Sequence, residues 1–250
     1  MRLDRALVTR DLARSRTQAA RLITAGRVSV DGREVTKPAL EVGDQAVIHV
    51  VAEPWVSRAA HKLLGALDDS GTAVGSRVLD AGASTGGFTQ VVLSRGAEVV
   101  HAVDVGHGQL AEELRADPRV RVHEGLNLRE LTLEQLGGKP VDMVVGDVSF
   151  ISLRLILAPM LATLRPGGTA LLLVKPQFEV GRERLGADGV VRDPELREQA
   201  VTDVLAAAAR IGWTCTWRGE SRLPGTGGNV EFFVKLGRRG ETNAGGPAAP

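Results

Sequence analysis

A glycine-rich segment, residues 80–89, most constrains what this chain can fold into. It reads Asp-Ala-Gly-Ala-Ser-Thr-Gly-Gly-Phe-Thr, follows an apolar run that ends at Leu79, and leads into residues 91–93, which have helical spacing. A strand that ends in a glycine-rich turn and opens a helix is the start of a cofactor-binding α/β unit. Because glycine has no Cβ, Gly82, Gly86 and Gly87 allow the backbone to approach a ligand closely.

The pattern within this segment separates it from two common nucleotide motifs. The dinucleotide fingerprint Gly-x-Gly-x-x-Gly has Ser84 at its middle position here, which argues against a nicotinamide oxidoreductase. No Gly-Lys-Ser/Thr follows, so the segment is not a phosphate-binding P-loop. Asp80 precedes the first glycine and suits a ligand with a cationic end, such as the amino group of S-adenosylmethionine. Asp104 ends the next apolar run, where such folds hold a ribose. A purely structural glycine-rich turn is the alternative.

Composition limits the class of protein. The single cysteine, Cys215, excludes a disulfide framework and a cysteine-based metal site, and the five histidines show no metal spacing. The N-terminus lacks the apolar core of a signal peptide, and no apolar run approaches the roughly 20 residues that span a bilayer. We therefore expect a cytoplasmic protein with no membrane span and no metal. Residues 237–250, rich in glycine and alanine, are predicted to be a disordered tail.

Residues 61–236 alternate between strand-like and helical patterns, which predicts a parallel sheet with helices on both faces. The last two strand-like runs have no clear helix between them and predict an antiparallel pair at the sheet edge. Seven strands in this order match the class I methyltransferase variant of the Rossmann-like α/β fold. The strand-like runs are 77–80, 98–104, 119–123, 141–147, 169–175, 213–218 and 230–236; the helical runs are 86–95, 109–115, 131–136, 153–164 and 194–210.

Residues 1–52 form a smaller α+β unit of their own. Ser15 is a good N-cap for a second helix that Gly26 ends, and short strands are predicted at 28–30, near 35 and at 46–51. Residues 53–60 are an interdomain linker interrupted by Pro54.

Charge is concentrated in the small unit. Residues 1–37 hold nine basic and four acidic residues, a net +5, whereas the whole chain carries +1. Such a concentration is typical of a surface for phosphate backbones, although a solvated helix face is the alternative. The order Leu3-Asp-x-x-Leu7, Ala13-Arg-Ser-Arg16 and Ala19-x-x-Leu-Ile-x-x-Gly26-x-Val-x-Val-Asp-Gly32 resembles the S4 RNA-binding domain. The resemblance implies that this unit faces structured RNA. Its candidate RNA-binding residues are Arg2, Arg5, Arg14, Arg16 and Arg21.

Polar residues end or begin strands where such folds place their sites. Asp147 and Lys175 end apolar runs, and Glu231 lies in Gly227-Gly-Asn-Val-Glu231. A lysine at the end of an apolar strand is costly unless it is paired or functional, so a satisfied core ion pair is the alternative. After Asp147 the chain reads Val-Ser-Phe, where amino-group methyltransferases have Pro-Pro-aromatic. The difference favours an oxygen acceptor over a base nitrogen.

With Lys62, these residues form the set Lys62, Asp147, Lys175 and Glu231, which resembles the tetrad of RNA ribose 2′-O-methyltransferases of the RrmJ/fibrillarin-like kind. The resemblance implies that Lys175 takes the hydroxyl proton and Lys62 orients the hydroxyl or a phosphate. Asp147 and Glu231 would hold the two lysines.

Motifs along the chain resemble the TlyA (hemolysin A) family over residues 1–236. They are Ser57-Arg-x-x-His-Lys-Leu63, residues 80–89, Asp104-Val-Gly106, Asn127-Leu-Arg129, Asp147-Val-Ser-Phe-Ile-Ser-Leu153, Lys175-Pro-Gln-Phe-Glu179 and Gly228-Asn-Val-Glu231. The resemblance implies S-adenosyl-L-methionine-dependent 2′-O-methylation of cytidine in 16S ribosomal RNA, 23S ribosomal RNA or both, with the 30S subunit, the 50S subunit or both as partners. The implied cofactor contacts are Asp80, Gly82, Ala83, Ser84, Thr85, Gly86, Gly87, Phe88, Asp104, Val105, Asn127 and Asp147. The chain departs from the family pattern at Ala59-Ala60 and at Arg222-Leu-Pro224.

Residues 177–193, rich in charge and glycine, follow Lys175 directly. We predict a mobile loop that closes on RNA through Arg182 or Arg184; an ordinary surface loop is the alternative. Two other functions compete with methyl transfer. One is membrane damage, suggested by the family name, and the other is RNA binding in ribosome assembly without catalysis.

Overall fold

The fold was analysed in a computed structural model that describes residues 1–13, 15–51, 54–186 and 188–238. The chain forms two compact units, one from Met1 to Pro54 and one from Trp55 onward. Each unit has its own buried core of apolar side chains.

The first unit packs two helices beside a three-stranded antiparallel sheet. Ser15 caps the second helix as predicted, because its Oγ accepts a hydrogen bond from the backbone N of Gln18 at 3.2 Å. The strand predicted at 46–51 is shorter, with three residues. In chain order the elements are α1 (Leu3–Thr9), α2 (Arg16–Thr24), β1 (Val28–Val30), β2 (Arg33–Glu34) and β3 (Ile48–Val50), with sheet order β2-β1-β3.

The second unit contains the predicted seven-stranded Rossmann-like sheet. Five strands run parallel, and the last strand of the chain lies antiparallel between its two neighbours, which confirms the predicted antiparallel pair at the edge. The strands are β4 (Arg77–Ala81), β5 (Val99–Asp104), β6 (Val120–Glu124), β7 (Val141–Gly146), β8 (Leu164–Val174), β9 (Trp213–Glu220) and β10 (Phe232–Arg238), in the order β6-β5-β4-β7-β8-β10-β9.

Helices cover both faces of this sheet. Buried side chains alternate between the two faces, since Leu79 packs into one core and Val78 into the other. Burial on both faces explains why the strands read as nearly continuous apolar runs. The helices are α3 (Ala59–Ser70), α4 (Gly87–Ser94), α5 (Glu112–Arg115), α6 (Leu157–Ala162), α7 (Pro176–Glu179) and α8 (Pro194–Arg210), so α3 begins inside the segment interpreted as a linker.

Three predicted helices are shorter than expected. The run 131–136 contains only a 3₁₀ turn, Glu134–Leu136. The run 109–115 is helical only from Glu112, because the backbone of Ala111 is extended, with a ψ of 142°, and its N donates to the carbonyl of Thr85. The run 153–164 divides into a 3₁₀ turn, Leu153–Leu155, and α6. Pro159 has no N–H to bond the carbonyl four residues earlier, so one continuous helix cannot form there.

The ends of the last strands also differ from expectation. β8 begins at Leu164, five residues earlier than the predicted run, and β10 extends to Arg238, two residues into the segment predicted to be disordered. Residues 239–250 of that segment lie outside the described residues.

Candidate active site

A cavity of about 590 Å³ lies at the carboxyl edge of the large sheet. Its walls come from the segments that follow β4, β7 and β8, from the segment before β10, and from the start of α3. Because β10 runs antiparallel to β8, its first residues reach the edge at which the parallel strands end. All four residues predicted to be catalytic line this cavity: Lys62, Asp147, Lys175 and Glu231.

Lys62 and Glu231 form a buried ion pair. Lys62 Nζ lies 2.5 Å from Glu231 Oε2, and the two side chains are 7% and 2% exposed. The other carboxylate oxygen, Oε1, accepts a hydrogen bond from Gln177 Nε2 at 3.1 Å. A buried ion pair compensates for its desolvation only when such additional hydrogen bonds satisfy it. Lys62 is therefore held in a fixed position against the cavity.

Lys175 and Asp147 form the second pair. Lys175 follows β8 directly and is followed by Pro176, which starts α7. Its Nζ lies 2.7 Å from Asp147 Oδ1 and donates to Ser149 Oγ at 2.7 Å. The ammonium also lies 6.0 Å from the centroid of the Phe178 ring, within the range of a cation–π contact.

An exposed aromatic residue stands beside this pair. The Phe150 side chain is 91% exposed and contacts the Phe178 ring at a centroid distance of 5.3 Å. Its backbone φ is +66°, in the left-handed region that non-glycine residues seldom adopt. Strained backbone of this kind is often retained at functional sites.

The glycine-rich turn after β4 forms one wall of the cavity. The backbone N atoms of Gly82 and Ala83 donate to the carbonyl of Val103 on β5, which fixes the turn to the sheet. Of the residues predicted to bind the cofactor, those in the cavity lining are Gly82, Ala83, Ser84, Thr85, Gly87, Phe88 and Asp147. The others, Asp80, Gly86, Asp104, Val105 and Asn127, are not in that lining.

Asp104 and Phe88 have clear structural roles. Asp104 accepts hydrogen bonds from the backbone N of Ser84 at 2.8 Å and of Gly106 at 2.7 Å, so it joins the turn to the segment after β5. The Phe88 ring is 2% exposed and stacks on Phe233 at 6.1 Å. Phe88 therefore packs its side chain into the core, which leaves its backbone to face the cavity.

Asp80 is fully buried beneath the turn. Thr89 Oγ1 donates to its Oδ2 at 2.6 Å, while its Oδ1 has no hydrogen-bond partner among the described residues. Burial raises the pKa of Asp80 to about 7, and the charge of Asp147 acts in the same direction. A carboxyl with an unsatisfied oxygen at this position is compatible with a cofactor that has a cationic end.

The predicted RNA-binding arginines of the first unit lie on its surface. Arg2, Arg5, Arg16 and Arg21 are exposed, while Arg14 lies outside the described residues. Arg2 and Arg16 both bind Asp4, and these guanidinium groups hold the pKa of that buried carboxyl well below its usual range. Arg16 and Arg21 line a shallow groove along α2 with Thr17 and Thr24.

Family models match both units. The S4 domain matches residues 1–48, and the FtsJ-like methyltransferase model matches residues 55–238. The chain is 52% identical to the 16S/23S rRNA (cytidine-2′-O)-methyltransferase TlyA of Mycobacterium tuberculosis over 239 residues, which is 94% of this chain and 89% of that protein. The chain belongs to the TlyA family of FtsJ-like methyltransferases. The resemblance inferred from the motifs and the predicted S4 fold are thereby confirmed.

Two other similar proteins are named as hemolysins and not as methyltransferases. Hemolysin A of Brachyspira hyodysenteriae is 37% identical over 94% of this chain and 98% of that protein. The solved structure of a Streptococcus thermophilus protein with a provisional hemolysin name has a TM-score of 0.75 at 37% identity, and it covers 96% of this chain and 89% of that one. In the part of the chain that the structure describes, no helix is both long and apolar enough to cross a membrane.

The segment after Lys175, predicted to be a mobile loop, contains helical turns and buried contacts. It begins as α7 rather than as a loop, and Val180 and Val191 pack against Ala200 of α8. Asn229, which is 4% exposed, accepts from the backbone N of Val191 at 3.0 Å and donates to the carbonyl of Gly189 at 3.1 Å. Closure on RNA stays a prediction. Arg184 is exposed beside Glu183, and the side chain of Arg182 lies outside the described residues.

Sequence reasoning did not identify several residues whose hydrogen bonds hold the segments around the cavity together. Ser149, Gln177 and Glu179 lie in motifs that indicate the TlyA family, but no spacing rule indicates which partner each side chain meets. Their contacts join segments 26 to 54 residues apart in the chain. Only the folded sheet brings these segments together.

Proposed function

We propose that this TlyA-family chain transfers a methyl group from S-adenosylmethionine to the 2′-hydroxyl of a cytidine ribose in ribosomal RNA. One observation carries the proposal: two lysine–carboxylate pairs, one buried and one partly buried, line a single cavity at the carboxyl edge of the methyltransferase sheet. The name of the Mycobacterium tuberculosis relative supports cytidine as the nucleoside and 16S and 23S rRNA as the substrates.

The turn after β4 is the part of the cavity that we assign to the cofactor. Its backbone from Gly82 to Thr85 faces the cavity, and Asp80 beneath it has an oxygen without a partner among the described residues. We assign Asp104, which ends β5, to the ribose hydroxyls, and Asn127 and Val105 complete the proposed set. When bound, S-adenosylmethionine supplies an electrophilic methyl group.

The four charged residues have distinct proposed roles. A ribose hydroxyl is a poor nucleophile at neutral pH, so its proton must be removed or directed as the O–C bond forms and the S–C bond breaks. Lys175 Nζ takes or directs that proton, and Asp147 holds Lys175. Lys62 orients the hydroxyl or a neighbouring phosphate, and Glu231 holds Lys62. Fixing the reacting groups in this way can contribute about 7–11 kcal/mol to lowering the barrier.

The S4 unit supplies the binding surface for structured RNA in this proposal. Arg2, Arg5, Arg16 and Arg21 are exposed on it and suit contacts with phosphates, which position RNA without reading its sequence. We assign a further phosphate contact to Arg184, which is exposed and precedes Leu185 of the cavity lining.

The decisive experiment uses tritiated S-adenosylmethionine with 30S subunits, 50S subunits and their naked rRNAs. Labelled RNA is then mapped for alkali-resistant linkages, which mark a blocked 2′-hydroxyl. We expect label at such a linkage, on cytidine, with the wild-type protein and not with Lys175→Ala.

Lys235→Ala is the matched control, because Lys235 is a lysine of β10 that is not in the cavity lining. It should methylate at the wild-type rate. Label on a base nitrogen, or full transfer by Lys175→Ala, would contradict the proposed chemistry. Cofactor binding without label on any of the four substrates would favour RNA binding in ribosome assembly.

A further inference from the structure

Glu179 is a buried carboxylate that the proposed chemistry does not use. It ends α7, four residues after Lys175, and its side chain is 1% exposed. Burial raises the pKa of this carboxyl above its ordinary value, opposed by its hydrogen bonds and by the charge of Arg154. An acid in such surroundings is costly unless its oxygens are satisfied.

All the groups that satisfy Glu179 come from one segment, residues 152–154. The backbone N of Leu153 donates to Oε1 at 2.7 Å, and Ser152 Oγ donates to Oε2 at 2.5 Å. Arg154 Nε donates to Oε2 at 3.2 Å, and its Nη2 donates to the Glu179 carbonyl at 3.0 Å. Both carboxylate oxygens are therefore engaged.

The two segments joined by Glu179 are those that carry the Asp147–Lys175 pair. Residues 147–153 follow β7, and residues 175–179 follow β8. The Asp147–Lys175 pair joins the first residues of the two segments, with Nζ and Oδ1 2.7 Å apart. The bonds of Glu179 join the other ends of the same two segments. The segment after β7 needs such support, since Phe150 within it has a φ of +66°.

We propose that Glu179 is a positioning residue for methyl transfer, which acts by fixing the segment that bears Asp147 against the segment that bears Lys175. The inference rests on the proposed function, because it assigns Glu179 an effect on that reaction. Replacing Glu179 by glutamine keeps its shape but puts an N–H₂ donor in place of Oε2, so the bonds that Oε2 accepts from Ser152 Oγ and Arg154 Nε are lost.

Asp142 provides a matched control at the opposite end of β7. Its carboxylate accepts from the backbone N of Arg77 at 2.7 Å and pairs with Arg165 at 2.5 Å, away from the cavity lining. Asp142→Asn therefore removes a hydrogen-bonded carboxylate from β7 and leaves the contacts of residues 147–153 in place. Both variants should lower the unfolding midpoint.

The first arm measures single-turnover methyl transfer together with cofactor and RNA affinity. For Glu179→Gln we expect a rate loss on the order of 10- to 100-fold, with both affinities within about twofold of wild type. Asp142→Asn should keep the wild-type rate. In an Asp147→Asn background, Glu179→Gln should add less than about a twofold loss, because the effect of Glu179 passes through Asp147. Equal rate losses from Glu179→Gln and Asp142→Asn would overturn the proposal. So would a rate loss in the Asp147→Asn/Glu179→Gln double variant equal to the product of the two single losses.

The second arm needs no substrate and measures amide hydrogen exchange in the protein alone. Glu179→Gln should speed exchange across residues 147–153, because this segment loses the bonds that Ser152 Oγ and Arg154 Nε donate to Oε2, and leave β5 unchanged. Asp142→Asn should leave 147–153 unchanged. Unaltered exchange there in Glu179→Gln would overturn the positioning role even if methylation were absent. Absence of methylation by wild-type protein would instead count against the proposed function.

Discussion

The burial of Lys62 and Glu231 makes each residue dependent on the other. Because both side chains are almost fully buried, removing one partner leaves an uncompensated charge, and such changes typically cost about 3–5 kcal/mol. We therefore expect Lys62→Met and Glu231→Gln each to lower the free energy of unfolding by that order, measured by urea denaturation. The double variant should recover much of the loss, because no charge is then left alone, and it should still lack methyl transfer.

An exposed pair supplies the comparison. Arg218 and Glu198 form an ion pair with side chains 51% and 53% exposed, and such surface pairs contribute about 0–1 kcal/mol. Glu198→Gln should therefore change unfolding and activity little. A double Lys62/Glu231 variant as unstable as the sum of its single variants would show that the pair is not coupled as the structure indicates.

Asp80 gives the protein a specific dependence of stability on pH. Its folded-state pKa of about 7 lies above the ordinary value of 3.8, so between these values the folded state binds more protons than the unfolded state. This carboxyl contributes stability that is fully present below about pH 4 and is lost as pH rises through about 7. The variant Asp80→Asn lacks this titration and keeps an acceptor for Thr89 Oγ1.

We expect the free energy of unfolding of wild type, relative to Asp80→Asn, to fall between pH 4 and pH 8. The fall should be at most about 4 kcal/mol, since one pKa unit corresponds to about 1.4 kcal/mol. Thermal or urea unfolding of both proteins over this range measures it. Parallel pH profiles would mean that Asp80 stays ionised in the folded protein.

At the scale of elements, the turn after β4 packs closely against the segment after β7. Gly82 has a φ of +81°, and a Cβ there would lie 3.1 Å from the carbonyl oxygen of Asp147. Gly96 has a φ of +98°, but a Cβ there meets nothing within 4 Å. Both alanine variants should lose about 1–2 kcal/mol of stability from the left-handed backbone.

Only Gly82→Ala should also slow methyl transfer, because its Cβ presses on the segment that carries Asp147. A loss on the order of 100-fold is expected in a single-turnover assay, while Gly96→Ala keeps its rate. Equal rates in the two variants would show that the segment after β7 yields to the added methyl group without cost to activity.

The fold also shows which elements can be predicted from the sequence alone. The central strands of the large sheet were predictable, because burial on both faces leaves continuous apolar runs, whereas the edge strand β9 is mostly exposed and has no such run. The N-cap at Ser15 was predictable from one residue type. The start of α5 was not predictable, because it depends on the extended backbone of Ala111 and on the contact of Ala111 with Thr85, which is distant in the chain. Three of the four charged residues were found from their places at strand ends, and Lys62 was added through a family resemblance. The roles of Gln177 and Glu179 were not predictable, because their partners are distant in the chain.

At the scale of the whole molecule, net charge and charge placement predict different behaviour. The chain carries only +1, yet residues 1–37 carry +5, so RNA affinity should depend on where an arginine lies and not on the total. Arg21 lines the groove along α2, while Arg33 is an equally exposed arginine on β2 of the same unit. Substituting either one by alanine removes the same charge.

We expect Arg21→Ala to weaken binding to naked 16S or 23S rRNA and to reduce the slope of log affinity against log salt by about 1, as loss of one phosphate contact should. Arg33→Ala should change neither by a comparable amount. Filter binding over a series of salt concentrations measures both quantities. If the two variants lose affinity equally, RNA responds to the overall charge of this unit, and the α2 surface has no special part in binding.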